Sequence, residues 1–369
     1  MEHVPLYGLA RVRGWNIDPA VGLAIALVYS ALMVFLFVRA RLRYRALPEL
    51  VAPAQFGATP DCMVVIPARN EAGVIGGAVR SLPTDSVIVV DDGSRDKTGA
   101  EAEEAGAGVL RVSKLPHNVL GKAHACMVGA KIIDAKWILF ADADTRYENG
   151  WLETMVAAAE ASGLSFLSAH LTQEPASLAS ALLLPYMQAL FFIGINPKLN
   201  PDGAFRGECI LARREAYEFI GGHGTSLTFP VEDFKLATLA LRHRMKIGLI
   251  RTAMGRTQCR EGWREWRHKS ARTWQRFALL PVNCTAAALM AIFLGSLWLP
   301  VILLTYAAGW PSAALGIAML PMLLLLPWYR NAFRALLIPF AVYAMLPIAG
   351  YALYCVWTTK KILWKGREV

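Results

Sequence analysis

A chain of 369 residues that is 55% hydrophobic and only 18% charged is too apolar for one ordinary water-soluble domain. Its net charge of +10 gathers beside the apolar segments, so the fitting partner is an anionic membrane surface rather than nucleic acid. Six cysteines, at 62, 126, 209, 259, 284 and 355, form no Cys-x-x-Cys pair and no finger spacing, so no structural zinc is implied and reduced, packed thiols are the default.

In chain order, Pro19 to Val38 carries no charge over about twenty residues, the length of a helical span. Arg39, Arg41, Arg43 and Arg45 follow, with no small-residue cleavage site, so residues 1–45 read as a retained anchor whose far end is cytoplasmic. Residues 46–276 then have ordinary polar composition and the size of a single domain.

That segment alternates short apolar strands with helices. Cys62-Met-Val-Val-Ile66 is a strand that runs into the loop Pro67-Ala-Arg-Asn-Glu71 and a helix to about Ser81. Ser86 to Val90 is a second strand, closed by Asp91-Asp-Gly-Ser94 and followed by an Ala/Glu-rich helix. Val109 to Val112, the loop Pro116 to Lys122 and a helix through Lys131 lead to the central strand, Trp137-Ile-Leu-Phe-Ala141, which ends in Asp142-Ala-Asp144. The pattern predicts an α/β fold with a mostly parallel sheet covered on both faces.

In a parallel sheet the strand ends share one edge, and ligands bind in the crevice there. Glu71, Asp91, Asp92, Asp142 and Asp144 are therefore expected to converge. Two carboxylates at i and i+2 suit a hard divalent cation, Mg²⁺ or Mn²⁺. Each motif also has a purely structural reading, as a turn, a helix cap or a first-turn acid.

Further on, Ser165 to Leu171 is expected as a strand. Ser177 to Ile195 is apolar but broken by Pro185, and reads either as a core helix or as an interfacial segment with Leu182 to Tyr186 and Phe191-Phe192 facing the membrane. Phe205 to Tyr217 reads as strand then helix, Gly221-Gly-His-Gly224 as a flexible loop, and Val231-Glu-Asp233 as a helix start. Glu232 and Asp233 fit equally as partners of the helix dipole or as a proton acceptor facing the crevice. The Arg- and Trp-rich stretch from Arg251 to Arg276 suits an interfacial belt, and also suits Arg272 or Trp274 reaching a diphosphate or an acceptor.

Residues 277–369 are expected to form C-terminal transmembrane helices and a basic tail. Phe277 to Tyr329 has room for two crossings joined near Gly309-Trp-Pro311, and Ala335 to Thr359 for a third. Three crossings would put Lys360, Lys361, Lys365 and Arg367 outside, against the charge rule, so one piece is also readable as interfacial or re-entrant, with breaks at Pro281, Pro300, Pro339 or Pro347.

The ordered motifs Val64-Val-Ile-Pro-Ala-Arg-Asn-Glu71, Val89-Val-Asp-Asp-Gly-Ser94, Gly121-Lys122, Ala141-Asp-Ala-Asp144 and Val231-Glu-Asp233 resemble those of the family 2 inverting glycosyltransferases of the GT-A fold. Arg213 to His223 and Trp364-Lys-Gly-Arg367 look like the membrane-bound branch that includes carotenoid- and hopanoid-associated glycosyltransferases. The resemblance implies that Pro67, Ala68, Arg69, Glu71, Asp91, Asp92, Lys122 and Asp142 hold a nucleotide-sugar donor, a UDP-sugar foremost. It implies that Asp142 and Asp144 hold Mg²⁺ or Mn²⁺ and that Asp233 is the catalytic base. Glu232, His223, Arg272 and Trp274 are the expected acceptor or diphosphate contacts. Processive members carry Gln-x-x-Arg-Trp, whereas this chain has Lys269-Ser-Ala-Arg272-Thr-Trp274, which points to single transfer.

The expected function is transfer of a sugar to a hydroxyl or carboxyl of a lipid acceptor by an integral membrane enzyme of the bacterial inner membrane, with its catalytic domain in the cytoplasm. Two other readings are a polyprenyl-phosphate glycosyltransferase, which needs no carboxylate base, and a non-catalytic lipid transporter. Against the transporter stands the lack of charged residues inside the expected spans.

Overall fold

The structure is a computed structural model that describes residues 17–53, 57–112, 115–117, 119–194, 205–229, 231–274, 289–290, 292–329, 338–358, 360, 362–364 and 367–368. Several positions singled out above lie outside the described residues: the apolar stretch 277–288 with Pro281 and Cys284, then Lys361 and Lys365. Along the chain the elements are α1 (Pro19–Ala46), β1 (Glu49–Leu50), β2 (Cys62–Ala68), α2 (Ile75–Arg80), β3 (Val87–Asp91), α3 (Thr98–Glu104), β4 (Gly108–Arg111) and α4 (Gly121–Lys131). They continue with β5 (Trp137–Ala141), β6 (Thr145–Tyr147), α5 (Trp151–Ala161), β7 (Phe166–Pro175), α6 (Leu178–Gly194), β8 (Cys209–Arg213), α7 (Arg214–Phe219), α8 (Glu232–Arg242), β9 (Ile247–Cys259) and α9 (Trp263–Trp274). The chain divides into two compact units.

The larger unit, Tyr44–Ser180, Ile195–Leu280 and Tyr351–Val369, contains a nine-stranded sheet in the order β1-β9-β7-β8-β5-β2-β3-β4, with β6 paired to β9. Alternation of side chains sends successive apolar residues to opposite faces. Val64, Ile66, Val89 and Leu139 pack against Ile75, Val79, Ala102 and Met155 of α2, α3 and α5. Val65, Val90, Ile138 and Phe140 pack on the other face, against Ala125, Cys126, Leu236 and Ala240 of α4 and α8. Helix α4 lies close to the sheet because Gly129 has no side chain: a Cβ there would stand 2.6 Å from Val65 and 2.9 Å from Val90. The described cysteines are free and buried, packed as small apolar groups.

Strands β2, β3, β4 and β5 are mutually parallel, as the alternating pattern predicts. Strand β8 is antiparallel to both β5 and β7, with Ala141 opposite Cys209 and Trp137 opposite Arg213. This reversal places the residues just before β8 beside the residues just after β5. Two departures from the sequence reading stand out. Strand β9 runs for 13 residues where only a basic stretch was expected, and Gly222–Ser226 is a short 3₁₀ turn rather than an open loop. The mixed Arg, Thr and Gln content of β9 hides its period, and pairing with β7, β6 and β1 supplies what the pattern lacks.

The smaller unit, Met1–Arg43, Ala181–Gly194 and Pro281–Gly350, is helical among its described residues. Helix α1 continues past Val38 through its arginines, which are good helix formers, and stops before Pro48. Helices Trp298–Ala307 and Pro311–Leu325 meet at Gly309, whose φ of +89° makes the turn where the junction was expected. Among the described residues, two helices are long and apolar enough to cross a membrane, Pro19–Ala46 and Pro311–Trp328. The expectation that Leu182 to Tyr186 and Phe191-Phe192 face a membrane needs correction: Leu183, Tyr186 and Phe192 are fully buried, with Tyr186 against Phe37 and Phe192 stacked on Trp328. An aromatic core position gains more from such packing than from exposure.

Candidate active site at the carboxyl edge of the sheet

Strands β2, β3 and β5 end at Ala68, Asp91 and Ala141, and the register pairs Ala68 with Asp91, so the following loops emerge side by side. The reversed β8 delivers Arg206-Gly207-Glu208 to the same edge, where the Asp142 amide donates to the Glu208 carbonyl at 3.2 Å. Helices α4 and α8 begin there, with Lys122, Glu232 and Asp233 in their first turns. Pro67, Lys122, Asp142, Gly207, His223 and Glu232 line one crevice.

The Lys122 ammonium is the centre of this arrangement. It stands 2.6 Å from Asp142 Oδ1 and 3.3 Å from Glu232 Oε1, and donates to the Gly207 carbonyl at 2.9 Å. An ammonium has three N–H donors, and here three acceptors surround it. Burial alone would lower the pKa of Lys122, yet Asp142 and Glu232 hold it well above the ordinary lysine value. In return, although burial would raise Glu232, Lys122 keeps that carboxyl below its usual range.

Asp233 lies across Gly207 from this lysine. Its Oδ2 accepts the Gly207 amide at 2.8 Å and its Oδ1 accepts the Phe234 amide at 2.7 Å, which fixes both oxygens. Burial first, and the neighbouring Glu232 second, push its carboxyl up to about 6 against the opposing pull of Lys122. Gly207 thus holds the base candidate with its N–H and the lysine with its C=O. A Cβ on it would stand 3.1 Å from Asp233 Oδ2 and 3.4 Å from Lys122 Nζ.

Asp144 follows Asp142 by two residues and is fixed by backbone: Gln258 of β9 donates to its carbonyl at 3.1 Å. Burial, reinforced by the charges of Asp142, Glu71 and Glu261, pushes its carboxyl up to about 7. Glu71 is thereby within electrostatic reach of Asp144. Lys269 of α9, 2.6 Å from Glu261, is the opposing cation.

The first two loops interlock. Arg69 donates to the carbonyls of Asp92 and Gly93, Asn70 takes a positive φ of 53°, and its amide donates to Ser94 Oγ at 3.0 Å. Asp91 accepts the Ser94 amide at 2.8 Å, and Glu71's amide donates to Thr98 Oγ1 at 2.7 Å. Asp91 and Asp92 are buried, and Asp92 donates its amide to Ala68 at 2.9 Å. Asp91 is therefore a turn-holding residue in this structure, as well as a candidate ligand-binding one.

His223 lines the crevice but is packed into its wall: Nδ1 meets the Tyr217 hydroxyl at 2.9 Å, the ring lies against Phe140, and burial pushes it down to about 4. Arg272 of α9 is within electrostatic range of Glu232, Asp142 and Asp233. Trp274 is the last residue of α9, and its side chain lies outside what the structure describes. Sequence reasoning missed Gly207, the Arg206–Glu208 ion pair at 3.0 Å, and the Lys269–Glu261 pair. The one available signal was a glycine flanked by opposite charges at a strand start, which has no period to read.

A crevice outside the carboxyl ends of parallel strands, closed by one reversed strand, together with a carboxylate at a helix start, defines an α/β domain of the GT-A type. Residues 63–221 match the family described as Glycosyl transferase family 2. Over 188 residues the chain is 31% identical to 4,4'-diaponeurosporenoate glycosyltransferase of Staphylococcus aureus strain USA300, covering 47% of this chain and 50% of that protein. It is 28% identical over 202 residues to the protein of the same name from Staphylococcus haemolyticus, covering 51% and 54%. The chain thus spans about half the length of the curated relatives it matches. In fold it is similar to the mannosyltransferase PcManGT from Pyrobaculum calidifontis, with a TM-score of 0.52 at 19% identity, covering 93% of this chain and 99% of that one.

Proposed function

We propose that the chain is an integral membrane glycosyltransferase that moves one sugar from a nucleotide-sugar donor to a lipid acceptor with inversion. The observation that carries this reading is the Lys122 contact set, which joins Asp142, Glu232 and, through Gly207, Asp233 from four separate parts of the sequence. The name of the staphylococcal relatives supports a lipid acceptor, and the solved mannosyltransferase, a complex with GDP-Man and Mn²⁺, supports a nucleotide-sugar donor. The apolar helices Pro19–Ala46 and Pro311–Trp328 support a membrane protein.

In this reading inversion is a single displacement at the anomeric carbon. Asp233 accepts the proton of the attacking group as its oxygen forms the new bond. The bond to the diphosphate breaks, and Lys122 supplies positive charge where the departing electron pair collects. The loops Pro67 to Glu71 and Asp91-Asp92 hold the nucleotide.

A divalent cation fits the remaining acids. Among the described residues no group of three or more His, Cys, Asp or Glu is placed to hold a metal, so the donor set would be Asp142 and Asp144 alone. Two carboxylates suit Mg²⁺ or Mn²⁺, which keep water and substrate oxygens in their other positions. Burial foremost, and then the charges of Asp142, Glu71 and Glu261, lift Asp144 to about 7, and a bound cation would offset that negative charge. When bound, the ion would neutralise charge on the leaving diphosphate.

The test is to incubate membranes containing the full chain with a panel of labelled nucleotide sugars and total lipid extract. Transfer of label into lipid from one donor class supports the reading; donor left intact across the panel rejects it.

A further inference from the structure

We infer that the chain from Tyr351 onward is a brace for α9: it fixes that helix, and with it the placement of Arg272, and it lies on the same side of the bilayer as the sheet. The role of Arg272 rests on the glycosyltransferase reading, in which it serves the donor; the packing and the sidedness stand without it.

Residues three and four apart share a face of a helix, so Arg267, His268 and Ala271 form one stripe of α9, and Trp266 and Lys269 another. The first stripe meets the C-terminal segment. Ala271 is buried in one apolar cluster with Ala352, Cys355 and Ile362. His268 stacks on the Tyr351 ring, 5.9 Å between centroids and 12° between planes, and the Arg267 guanidinium lies 4.4 Å from the centroid of the same ring. Ala352 and Cys355 belong to the last turns of the helix Ile338–Thr358, and Ile362 stands just before the strand Leu363–Trp364, which also lies against α9. Trp364 pairs with Arg367 in an antiparallel ladder, so the motif Trp364-Lys-Gly-Arg367 holds the end of this segment in a paired strand.

The second stripe meets the sheet. Lys269 stands 2.6 Å from Glu261, and Trp266 Nε1 donates to Ser180 Oγ at 3.1 Å. Glu261 closely follows Gln258, whose amide holds the Asp144 carbonyl, so α9 is tied on one face to the ladder beside Asp144 and on the other to the C-terminal segment. Arg272 adjoins Ala271 and is within electrostatic range of Glu232, Asp142 and Asp233, and any shift of α9 carries it along. The same packing constrains topology. The chain leaves the sheet-bearing unit at Pro281 and rejoins it at Tyr351. A chain that leaves one side of a bilayer and returns to it crosses an even number of times. The three crossings readable from the apolar stretches are therefore not made, and Lys360 and Arg367 fall on the side of the catalytic domain, in accord with the charge rule.

Three measurements on the full chain in membranes test this. Sidedness is read with a membrane-impermeant maleimide on sealed vesicles of known orientation, comparing Lys360→Cys with Glu103→Cys on the exposed face of α3 and with the parent as background. Labelling of both in the same vesicles is expected; labelling from opposite faces overturns the inference. The brace is read by limited trypsin digestion after the exposed Arg264 and Arg267. Ile362→Asp, which puts a charge into the apolar cluster, should speed cleavage within α9, whereas Ile362→Val should match the parent; cleavage unchanged by Ile362→Asp overturns the inference. Should Ile362→Asp fail to accumulate, Tyr351→Ala removes only the ring contacts and carries the same expectation. Placement of Arg272 is read by transfer kinetics. Because a displacement of about 1 Å can cost about 10²-fold in rate, Ile362→Asp should lower kcat/KM for the donor about ten-fold or more, with Ile362→Val restoring it. Parent kinetics in Ile362→Asp reject the brace. If the parent itself transfers no sugar from any donor, the glycosyltransferase reading fails, while labelling and digestion still decide the packing and the sidedness.

Discussion

Asp233 is where the electrostatics make the sharpest demand. With its carboxyl at about 6, pushed there by burial and Glu232, the proposed base would be ionised above that pH and protonated below it. Turnover at saturating donor should therefore be flat from about pH 7 upward and fall on acidification through about 6. In Asp233→Asn that acid limb should vanish along with most of the rate, while the Michaelis constant for the donor stays within a few-fold; kinetics across pH decide both. Asp144 makes a different demand. A carboxyl at about 7 when folded and near 3.9 when unfolded takes up a proton on folding, so its ionised form costs stability, with the loss growing between about pH 4 and pH 7. Without divalent ions, Asp144→Asn should melt at a higher temperature than the parent at pH 8, with the gap closing toward pH 4. Gly207→Ala tests the backbone clamp: a methyl 3.1 Å from Asp233 Oδ2 should lower kcat at least ten-fold without unfolding the domain, as read by paired kinetics and melting.

How much of this was legible differs from residue to residue. Asp142 and Asp144 were expected at the shared edge because they follow a strand, and strand ends in a parallel sheet meet there, whereas Lys122 and Asp233 were singled out by the family resemblance. Asp91 was found, but its hydrogen bond to the Ser94 amide shows that the turn it belongs to needs it structurally as well. Gly207 was invisible, since its part is played by N–H and C=O groups that every residue carries.

At the scale of elements, α4 and β8 do most to build the crevice. Helix α4 brings Lys122 to the edge because Gly129, seven residues on, lets it approach β2 and β3. Gly129→Leu would force four side-chain carbons into space occupied by Val65 and Val90, and overpacking of this kind costs about 1–3 kcal/mol. Thermal or denaturant unfolding should show that loss, with activity falling further than stability because Lys122 moves with its helix. The parallel strands were readable from apolar runs bounded by turn residues. The 13-residue β9 was not, because its alternation is broken by Arg, Thr and Gln and its partners β7, β6 and β1 lie elsewhere in the sequence. The burial of Tyr186 and Phe192 was also hidden, since an apolar stretch looks alike whether it meets lipid or protein.

For the whole molecule, composition separates an apolar portion from a polar one, whereas the compact units cut across those expected boundaries, with Ala181–Gly194 in the helical unit and Tyr351–Val369 in the sheet-bearing one. Orientation and number of spans are not legible from charge, because basic residues stand at both ends of the apolar regions and exert opposing biases. The proposal of an integral membrane protein predicts that the full chain stays in the pellet after alkaline carbonate extraction; recovery in the supernatant would reject it.

The reversal of β8 has a final consequence. Because Cys209 pairs with Ala141, the loop that positions Asp233 and the loop that carries Asp142 are stitched together by one ladder, with no hinge between them. The two halves of the crevice therefore cannot open and close past one another as jaws. Any gating of substrate entry has to come from segments outside that ladder, and damage to the β5–β8 seam abolishes both halves together.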